Sequence, residues 1–339
     1  MPSPVESRTQ GMYPEIDAPE DIYSNFSNKV PLDNIESYLI GAAKSPDTEA
    51  EFKSVPMTVA KSTTAGEAPE NKKKNRYRNN IPFDENRVIL PTIPDQSSSD
   101  YINASYIASY NRPEAFIATQ GPKAERDNTV GDFWRMMWST GSQTIVMVAN
   151  VMENGKAKVA QYWPETTTEP MFLFGMKITI NDTQYKEDFV VRTFSIRTDQ
   201  EKREISQYHY TIWPDHGVPV SPFSLTVMLR EVTATPRSGP IVVHCSAGLG
   251  RTGTVLLSMY VQEQVHEGRY LDMNEALISL RNGRTRLVDN IDQYRFSHKL
   301  LLELLCNNDT SYPNESFKEH LTQLTRIYNR TTELNTQHQ

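Results

Sequence analysis

The residues with the clearest capacity for chemistry lie in one glycine-rich stretch, residues 241–253, which reads IVVHCSAGLGRTG. An apolar, β-branched run predicts a buried strand leading into Cys245, and five residues separate Cys245 from Arg251. A short loop between a strand and a helix can turn several backbone N–H groups toward one anion, and the helix N-terminus adds its positive end. The same positive field favours the thiolate, which is the nucleophilic form of cysteine. This stretch therefore predicts an anion cradle in which Cys245 attacks a phosphate and Arg251 binds its oxygens.

The alternative for Cys245 taken alone is a buried structural thiol beside a surface arginine. Three features favour Cys245 as a nucleophile: the preceding His244, the glycine-rich loop that follows, and the strand-to-helix context. Apolar residues recur at helical spacing after Arg251, which predicts a helix with Gly268 as its stop.

A carboxylic acid for the same reaction lies in the segment WPDHGVP, residues 213–219. A tyrosine phenolate is a poor leaving group because its parent pKa is about 10, so attack on phosphotyrosine needs a general acid. Asp215 lies in a proline- and glycine-containing turn that can move as a unit, with Trp213 as an apolar anchor. The alternative for Asp215 taken alone is an aspartate that only helps to form the turn. Together with the cysteine loop, it is predicted to be the acid.

Composition excludes several other classes of function. The 35 basic and 42 acidic residues give a net charge of −7, which argues against a general nucleic-acid or membrane-surface binder. The two cysteines, Cys245 and Cys306, form no disulfide framework and favour a reducing, cytoplasmic compartment. The sequence shows neither a signal peptide nor an apolar run of about 18 residues, so we expect neither secretion nor a membrane span. The seven histidines lack ligand-like spacing, and we expect no metal and no cofactor.

The elements that must position these residues mix strands and helices, which predicts an α/β fold in one large domain with extensions. The patterns predict a short helix over residues 32–39, a loop over 54–73, strands within 74–90, 100–107 and 115–122, a core helix over 129–139, a buried strand at TIVMVAN, an antiparallel meander near 177–181, 189–197 and 204–213, and a mostly helical remainder. Asp272 with Glu275, and Asn290 with Gln293, resemble capping boxes.

Four segments follow from these patterns. Residues 1–29 are predicted to be a disordered N-terminal segment, and residues 30–73 a helical flank and loop. Residues 74–306 are predicted to form the catalytic domain. Residues 307–339 are predicted to be a linker and an amphipathic C-terminal helix.

Five motifs, KNRYRNN, DYINASYI, ATQGP, WPDHGVP and HCSAGLGRTG, follow one another along the chain. Together they resemble the tyrosine-specific protein phosphatases of the cysteine-dependent superfamily, over residues 74–305. The resemblance implies a highly twisted, mixed central sheet flanked by helices, with the Cys-x5-Arg phosphate loop between a buried strand and a helix. The flanks resemble those of the membrane-proximal catalytic domain of receptor-type members.

The resemblance also implies a role for each matching residue. Cys245 would be the nucleophile, Arg251 the phosphate clamp, and Asp215 the general acid and then the base. Thr252 would donate a hydrogen bond to the thiolate, and His244 would orient the loop. The phosphate oxygens would be held by the backbone of Ser246, Ala247, Gly248, Leu249 and Gly250.

Three further positions complete the implied site. Tyr77 would stack on the substrate ring and set a pocket depth that suits phosphotyrosine over phosphoserine. Glu153 and Lys158 match the mobile loop that supports Arg251 and the segment of residues 213–219, called the acid segment below.

Two departures from the family pattern stand out. Where relatives carry glutamine to position the hydrolytic water, the chain reads DNIDQY and has Asp289. A carboxylate close to a phosphate repels it, so we expect normal phosphoenzyme formation and slowed breakdown, with Gln293 partly substituting. The alternative is that Asp289 points away and Gln293 suffices. Asn79 stands where many relatives have aspartate to bind the peptide main chain.

The leading interpretation is a protein-tyrosine phosphatase with phosphotyrosine-containing protein substrates and no nucleic-acid partner. One alternative is a weakly active module that binds phosphotyrosine, because of Asp289, and another is a dual-specificity or lipid phosphatase. The chain is either free-standing and cytosolic or the cytoplasmic part of a membrane receptor with a second phosphatase-like domain outside it. The thiolate of Cys245 is also expected to oxidise to sulfenic acid and to cyclise onto the Ser246 nitrogen.

Overall fold

A computed structural model describes residues 28–124, 127–235 and 238–306. Nearly all of the predicted disordered segment, and the whole predicted C-terminal linker and helix, lie outside these described residues.

A nine-stranded mixed sheet forms the centre of the described fold, in the spatial order β2-β3-β4-β12-β5-β11-β10-β9-β8. Its four middle strands, β4, β12, β5 and β11, run parallel, and the outer pairs are antiparallel. Two small ribbons, β1–β13 and β6–β7, lie apart from it. The strands are β1 (Val30–Pro31), β2 (Arg87–Ile89), β3 (Tyr101–Ile107), β4 (Phe116–Thr119), β5 (Thr144–Met147), β6 (Met152–Glu153), β7 (Lys156–Ala157), β8 (Met171–Leu173), β9 (Met176–Tyr185), β10 (Phe189–Arg197), β11 (Lys202–Tyr210), β12 (Ile241–His244) and β13 (Tyr270–Leu271).

Helices flank this sheet, and α7 and α9 pack against each other. Helices α1, α2 and α6 contact α9, while α8 contacts both α7 and β3. The helices are α1 (Ile35–Ala42), α2 (Asp47–Ser54), α3 (Thr64–Glu67), α4 (Pro69–Lys72), α5 (Val130–Ser139), α6 (Phe223–Ala234), α7 (Gly250–Glu263), α8 (Met273–Gly283) and α9 (Ile291–Cys306). The predicted α/β class and the mixed sheet flanked by helices are confirmed.

Strand β12 is buried along its whole length because parallel neighbours, β4 and β5, pair with both of its edges. This explains the continuous apolar run before His244, since parallel strands with both faces covered lose the usual polar alternation. The buried strand predicted at TIVMVAN, the core helix over 129–139 and the antiparallel meander are likewise present as β5, α5 and β9–β11.

The loop predicted over residues 54–73 is wrong in part, because this segment contains the one-turn helices α3 and α4. Four residues are too few to show a 3.6-residue period. A distant carboxylate stabilises α3 instead: Asp84 accepts the backbone N–H groups of Thr64 and Ala65 at 2.8 and 2.9 Å.

The two predicted capping boxes form their N-cap bonds. Asp272 Oδ1 accepts the Glu275 N–H at 2.9 Å, and Asn290 Oδ1 accepts the Gln293 N–H at 3.0 Å. The reciprocal bond of the second box is displaced by one residue, because Gln293 Oε1 accepts the N–H of Asp289 at 2.9 Å. The predicted stop at Gly268 is also present, since α7 continues as a π-helical turn, Gln264–Gly268, that ends there.

We expect Asp272→Ala to lower the free energy of unfolding by about 1 kcal/mol, because it removes the acceptor that caps α8. Asp272→Asn keeps an oxygen in the capping position and serves as the matched control. Urea unfolding of the two variants measures the difference, and equal stabilities would contradict a capping role for this side chain.

Candidate active site

The cysteine loop, residues 245–251, connects the buried end of β12 to the first turn of α7. Cys245 is only 5 % exposed, and the Gly248 N–H donates to its sulfur at 3.2 Å. Gly248 has φ +69°, and a Cβ there would lie 2.2 Å from the Thr119 carbonyl oxygen. The loop can therefore close around the sulfur only with glycine at this position.

The outer side of the cysteine loop is held by Arg284, which follows α8 and is fully buried. Its Nε donates to the Gly248 carbonyl at 3.0 Å, and its Nη2 lies 3.4 Å from the Ala247 carbonyl. In a trans peptide the C=O and N–H point in opposite directions, so fixing these carbonyls outward turns the next N–H groups inward. The guanidinium also donates to Asn103 Oδ1 at 2.7 Å, and burial lowers its pKa to about 10. The sequence interpretation missed this residue.

His244 supports the loop from beneath. Its Nδ1 lies 3.1 Å from the Cys245 carbonyl oxygen, and its Nε2 lies 2.9 Å from the Tyr162 hydroxyl. Burial lowers the pKa of His244 to about 4, so its ring is neutral at physiological pH. These contacts bring His244 together with Tyr162, which the sequence did not single out, and the orienting role of His244 stays a prediction.

Arg251 joins three parts of the site. It forms a two-point ion pair with Glu153, at 2.6 and 2.9 Å, and its Nη2 donates to the Pro214 carbonyl at 3.0 Å. Its guanidinium carbon also lies 5.9 Å from the centroid of the Trp213 ring. Arg251 therefore connects the cysteine loop to β6 and to the acid segment.

Asp215 is held by the β6–β7 hairpin. Its two carboxylate oxygens accept from Lys158 Nζ at 2.6 Å and from Asn154 Nδ2 at 2.7 Å. The Lys158 hydrogen bond lowers the pKa of Asp215 to about 2, so the carboxylate is ionised here. Asn154 and Gly155 have φ values of +47° and +72°, the turn that an Asn-Gly pair favours in a two-residue hairpin. The sequence interpretation missed Asn154, although the Asn-Gly pair was the available signal.

Tyr77 lies at the rim of the loop with 41 % of its surface exposed. Its hydroxyl is 2.9 Å from Ser246 Oγ, which itself donates to the Lys158 carbonyl at 2.9 Å. Because the Ser246 hydroxyl proton is used in this bond to Lys158, the Tyr77 hydroxyl must be the donor to Ser246 Oγ. Asn79, two residues along, is exposed.

The predicted hydrogen bond from Thr252 to the sulfur is not formed. Thr252 is buried in the first turn of α7, and its hydroxyl has no hydrogen-bond partner within the part of the chain that the structure describes. The Gly248 N–H donates to the sulfur instead.

Asp289 is paired with Arg286, whose Nε and Nη2 lie 3.0 and 2.9 Å from its Oδ1. Gln293 lies against the start of α7, since a Cβ on Gly250 would be 2.6 Å from its Oε1. The Asp289 carboxylate is thus paired with Arg286, and Gln293 lies beside the cysteine loop. Both expectations, slowed breakdown and an Asp289 that points away while Gln293 suffices, stay predictions.

Within residues 28–124, 127–235 and 238–306, no group of three or more His, Cys, Asp or Glu side chains is arranged to hold a metal ion. Over the same ranges, every helix is too short or too polar to cross a bilayer.

The mixed sheet flanked by helices, with a Cys-x5-Arg loop between β12 and α7, is the architecture that the five motifs imply. A sequence model of the family described as "Protein-tyrosine phosphatase" matches residues 71–303. The chain therefore belongs to the protein-tyrosine phosphatase family, which confirms the resemblance carried by the five motifs.

Three relatives have receptor-type names. The chain is 42% identical over 262 residues to receptor-type tyrosine-protein phosphatase S of Gallus gallus, covering 76% of this chain and 17% of the relative. It is 40% identical over 261 residues to receptor-type tyrosine-protein phosphatase F of Homo sapiens, with coverages of 76% and 13%. It is 39% identical over 290 residues to receptor-type tyrosine-protein phosphatase alpha of Homo sapiens, with coverages of 83% and 35%. The chain thus spans about a third or less of the length of these relatives.

We expect Lys158→Met to raise the pKa of Asp215 from about 2 toward its ordinary value of about 4, because the dominant hydrogen bond is lost. The pairing with Lys158 stabilises the fold above the unfolded pKa of about 4, and this contribution is lost as the pH falls toward 2. Carbon-13 NMR titration of the Asp215 carboxyl measures the shift.

Lys156→Met is the matched control, because it removes the same charge from an exposed position on the same hairpin. An Asp215 pKa that moves equally in both variants would show a general charge effect in place of the Lys158 bond.

Proposed function

We propose that this chain hydrolyses phosphotyrosine in proteins through a cysteinyl phosphate intermediate. The observation that carries the proposal is that Arg251, the proposed phosphate clamp, connects the loop of the proposed nucleophile to the segment of the proposed acid. Arg251 lies in the first turn of the helix that follows the Cys245 loop, and it donates to the carbonyl of Pro214, the residue before Asp215. Acyl or phosphoryl transfer to a cysteine requires these groups around one reacting atom.

In the first step, the Cys245 thiolate attacks phosphorus, the S–P bond forms, and the bond from phosphorus to the phenolic oxygen breaks. Asp215 gives its proton to the departing phenolate. The pKa of Asp215 near 2 means that it must first gain a proton. An arriving phosphate dianion supplies the reason, because nearby negative charge raises the pKa of a carboxyl group.

In the second step, Asp215 accepts a proton from water, the water oxygen bonds to phosphorus, and the S–P bond breaks. Inorganic phosphate leaves, and Cys245 returns to the thiolate. Arg251 and the inward N–H groups of residues 246–250 stabilise the charge on the equatorial oxygens in both transition states. Gln293, against Gly250 at the mouth of the loop, is the side chain proposed to position the water.

The aromatic rim supports phosphotyrosine over phosphoserine as substrate. Tyr77 is held over the loop by its bond to Ser246, so a phosphorylated side chain must pass this ring before it reaches Cys245. A phosphotyrosine ring can pack on Tyr77 along the way, whereas a phosphoserine is too short to reach the sulfur from the same height.

The binding-module alternative rests on Asp289, and its contacts favour turnover instead. The Arg286 guanidinium neutralises much of the carboxylate charge that would repel phosphate. We therefore propose an active phosphatase rather than a weakly active phosphotyrosine binder.

The larger context is also a proposal. We propose that residues 74–306 are the catalytic domain, preceded by the helical flank 30–73. The receptor-type names of the relatives support a place within a longer receptor. A cytoplasmic, membrane-proximal position and a second phosphatase-like domain beyond this chain belong to the same proposal.

Hydrolysis of an aryl phosphate tests the function. We expect Cys245→Ser to abolish turnover, and Asp215→Ala to lower kcat by about 10²- to 10⁴-fold, the contribution of general acid catalysis. A phosphotyrosine peptide should be hydrolysed and the matching phosphoserine peptide left intact. A wild-type protein no more active than Cys245→Ser would contradict the proposal, and equal rates on both peptides would indicate a dual-specificity enzyme.

Quench-flow kinetics test the neutralisation of Asp289. We expect Arg286→Met to slow breakdown of the phosphoenzyme by about fivefold, because an unpaired carboxylate near phosphate costs about 1 kcal/mol in a water-like medium. The burst of released phenol should become larger relative to the steady state. The double variant Arg286→Met/Asp289→Asn removes both charges and should restore the wild-type rate. Slow breakdown in both variants would show that Arg286 acts by some other contact.

A further inference from the structure

A continuous hydrogen-bond chain begins on β10 and ends at the carbonyl of the nucleophile. Arg192 Nη1 donates to Gln207 Oε1 at 3.0 Å, and Gln207 Nε2 donates to the Tyr162 hydroxyl at 2.6 Å. Tyr162 lies 2.9 Å from His244 Nε2, and His244 Nδ1 lies 3.1 Å from the Cys245 carbonyl oxygen. None of these four bonds involves the acid segment or the β6–β7 hairpin.

The sheet aligns the members of this chain. Arg192 and Gln207 are directly opposite each other in the β10–β11 register. Strand β5 separates β11 from β12, and Tyr162 spans it, with its hydroxyl 3.8 Å from the sulfur of Met147 on β5. Gln207, Tyr162 and His244 are all completely buried. Buried polar groups of this kind require partners, and here every link has one.

The direction of the chain is fixed by its first member. A guanidinium can only donate, so Gln207 must present its oxygen to Arg192 and its NH₂ group to Tyr162. The Tyr162 proton is then directed at His244 Nε2, which must accept. The neutral His244 ring keeps its single proton on Nδ1 and donates it to the Cys245 carbonyl. All the hydrogen bonds of this chain therefore point the same way, from the permanently charged Arg192 through Gln207, Tyr162 and His244 to the Cys245 carbonyl. We call this chain of hydrogen bonds the relay.

The relay ends on a peptide bond that matters for phosphate binding. The Cys245 carbonyl and the Ser246 N–H belong to the same peptide group. A hydrogen bond accepted by the carbonyl polarises this group and strengthens its N–H as a donor. Ser246 is the first residue of the backbone segment proposed to hold the phosphate oxygens.

We propose that Arg192 and Gln207 are positioning residues of the active site. They hold His244 in its Nδ1–H tautomer and, through the Cys245 carbonyl, strengthen the Ser246 N–H that binds phosphate. This inference rests on the proposed phosphatase function for its effect on rate, while its effect on the His244 ring is independent of activity.

The first test replaces the cation. Arg192→Met should lower kcat/KM for an aryl phosphate by about fivefold, the size of one net hydrogen bond, and Arg192→Lys should recover part of the loss. Arg203→Met is the matched control. Arg192 lies 4.6 Å from the Trp163 ring centroid and Arg203 lies 4.0 Å from that of Trp138, but Arg203 does not contact the members of the relay. Equal losses in Arg192→Met and Arg203→Met would overturn the proposal.

The second test reverses the relay without a change of size. In Gln207→Glu the carboxylate still accepts from Arg192 but also accepts from Tyr162, which leaves His244 Nε2 without its donor. We expect nitrogen-15 NMR of the His244 imidazole to show a shift toward the Nε2–H tautomer in this variant, and a smaller change in Arg192→Met. Unchanged imidazole signals in both variants would overturn the proposal, whatever happens to the rate.

The two readouts separate this inference from the proposed function. If the wild-type protein lacks phosphatase activity while the imidazole signals respond as expected, the function fails and the relay stands. If the wild-type protein is active and neither the rate nor the imidazole responds, the function stands and the relay is overturned.

Discussion

The cysteine loop depends on one constraint: its N–H groups can face an anion only if its carbonyls face the protein, where each needs a buried donor. The surrounding fold supplies them. His244 donates to the Cys245 carbonyl, and the Gly121 N–H donates to the Ser246 carbonyl at 2.9 Å. Arg284 donates to the carbonyls of Ala247 and Gly248. An unsatisfied buried carbonyl costs about 1–3 kcal/mol, so several left unpaired would reorient the loop.

This constraint explains features that lie far from Cys245 in the sequence. Gly121 in the ATQGP motif must be glycine, since a Cβ there would be 2.7 Å from the Cys245 carbonyl oxygen. Asn103 in DYINASYI accepts from Arg284 and so fixes the guanidinium that serves the loop. The motifs on β3 and β4 are therefore parts of the loop's support, brought together by the β3–β4 pairing and the parallel β4–β12 pairing.

A second set of contacts joins the loop to the segments that carry the acid. The Arg251–Glu153 and Lys158–Asp215 ion pairs are adjacent, since Lys158 directly follows β7 and its Nζ lies 3.9 Å from Glu153 Oε2. The hairpin therefore bears on both Arg251 and the protonation state of Asp215. Because Lys158 holds Asp215 ionised, its carboxyl group gains a proton only when negative charge arrives beside it, as the proposed role of general acid requires.

Periodicity, glycine-rich turns and motif spacing are local signals, so the elements and the candidate reactive groups could be predicted from the sequence. The buried strands, the core helices, the cysteine loop and the acid segment could all be predicted in this way.

Only the tertiary structure showed which side chains support them. Arg284, Gln207 and Tyr162 act across strands that are distant in sequence, so neither their spacing nor their type revealed a role. The expected bond from Thr252 failed for the same reason, and the pairing of Asp289 with Arg286 depended on a local turn geometry with φ +59° at Arg286 and Val288. Hydrogen-bond partners depend on which side chains become neighbours in the folded protein, and the spacing of residues along the sequence does not show these neighbours.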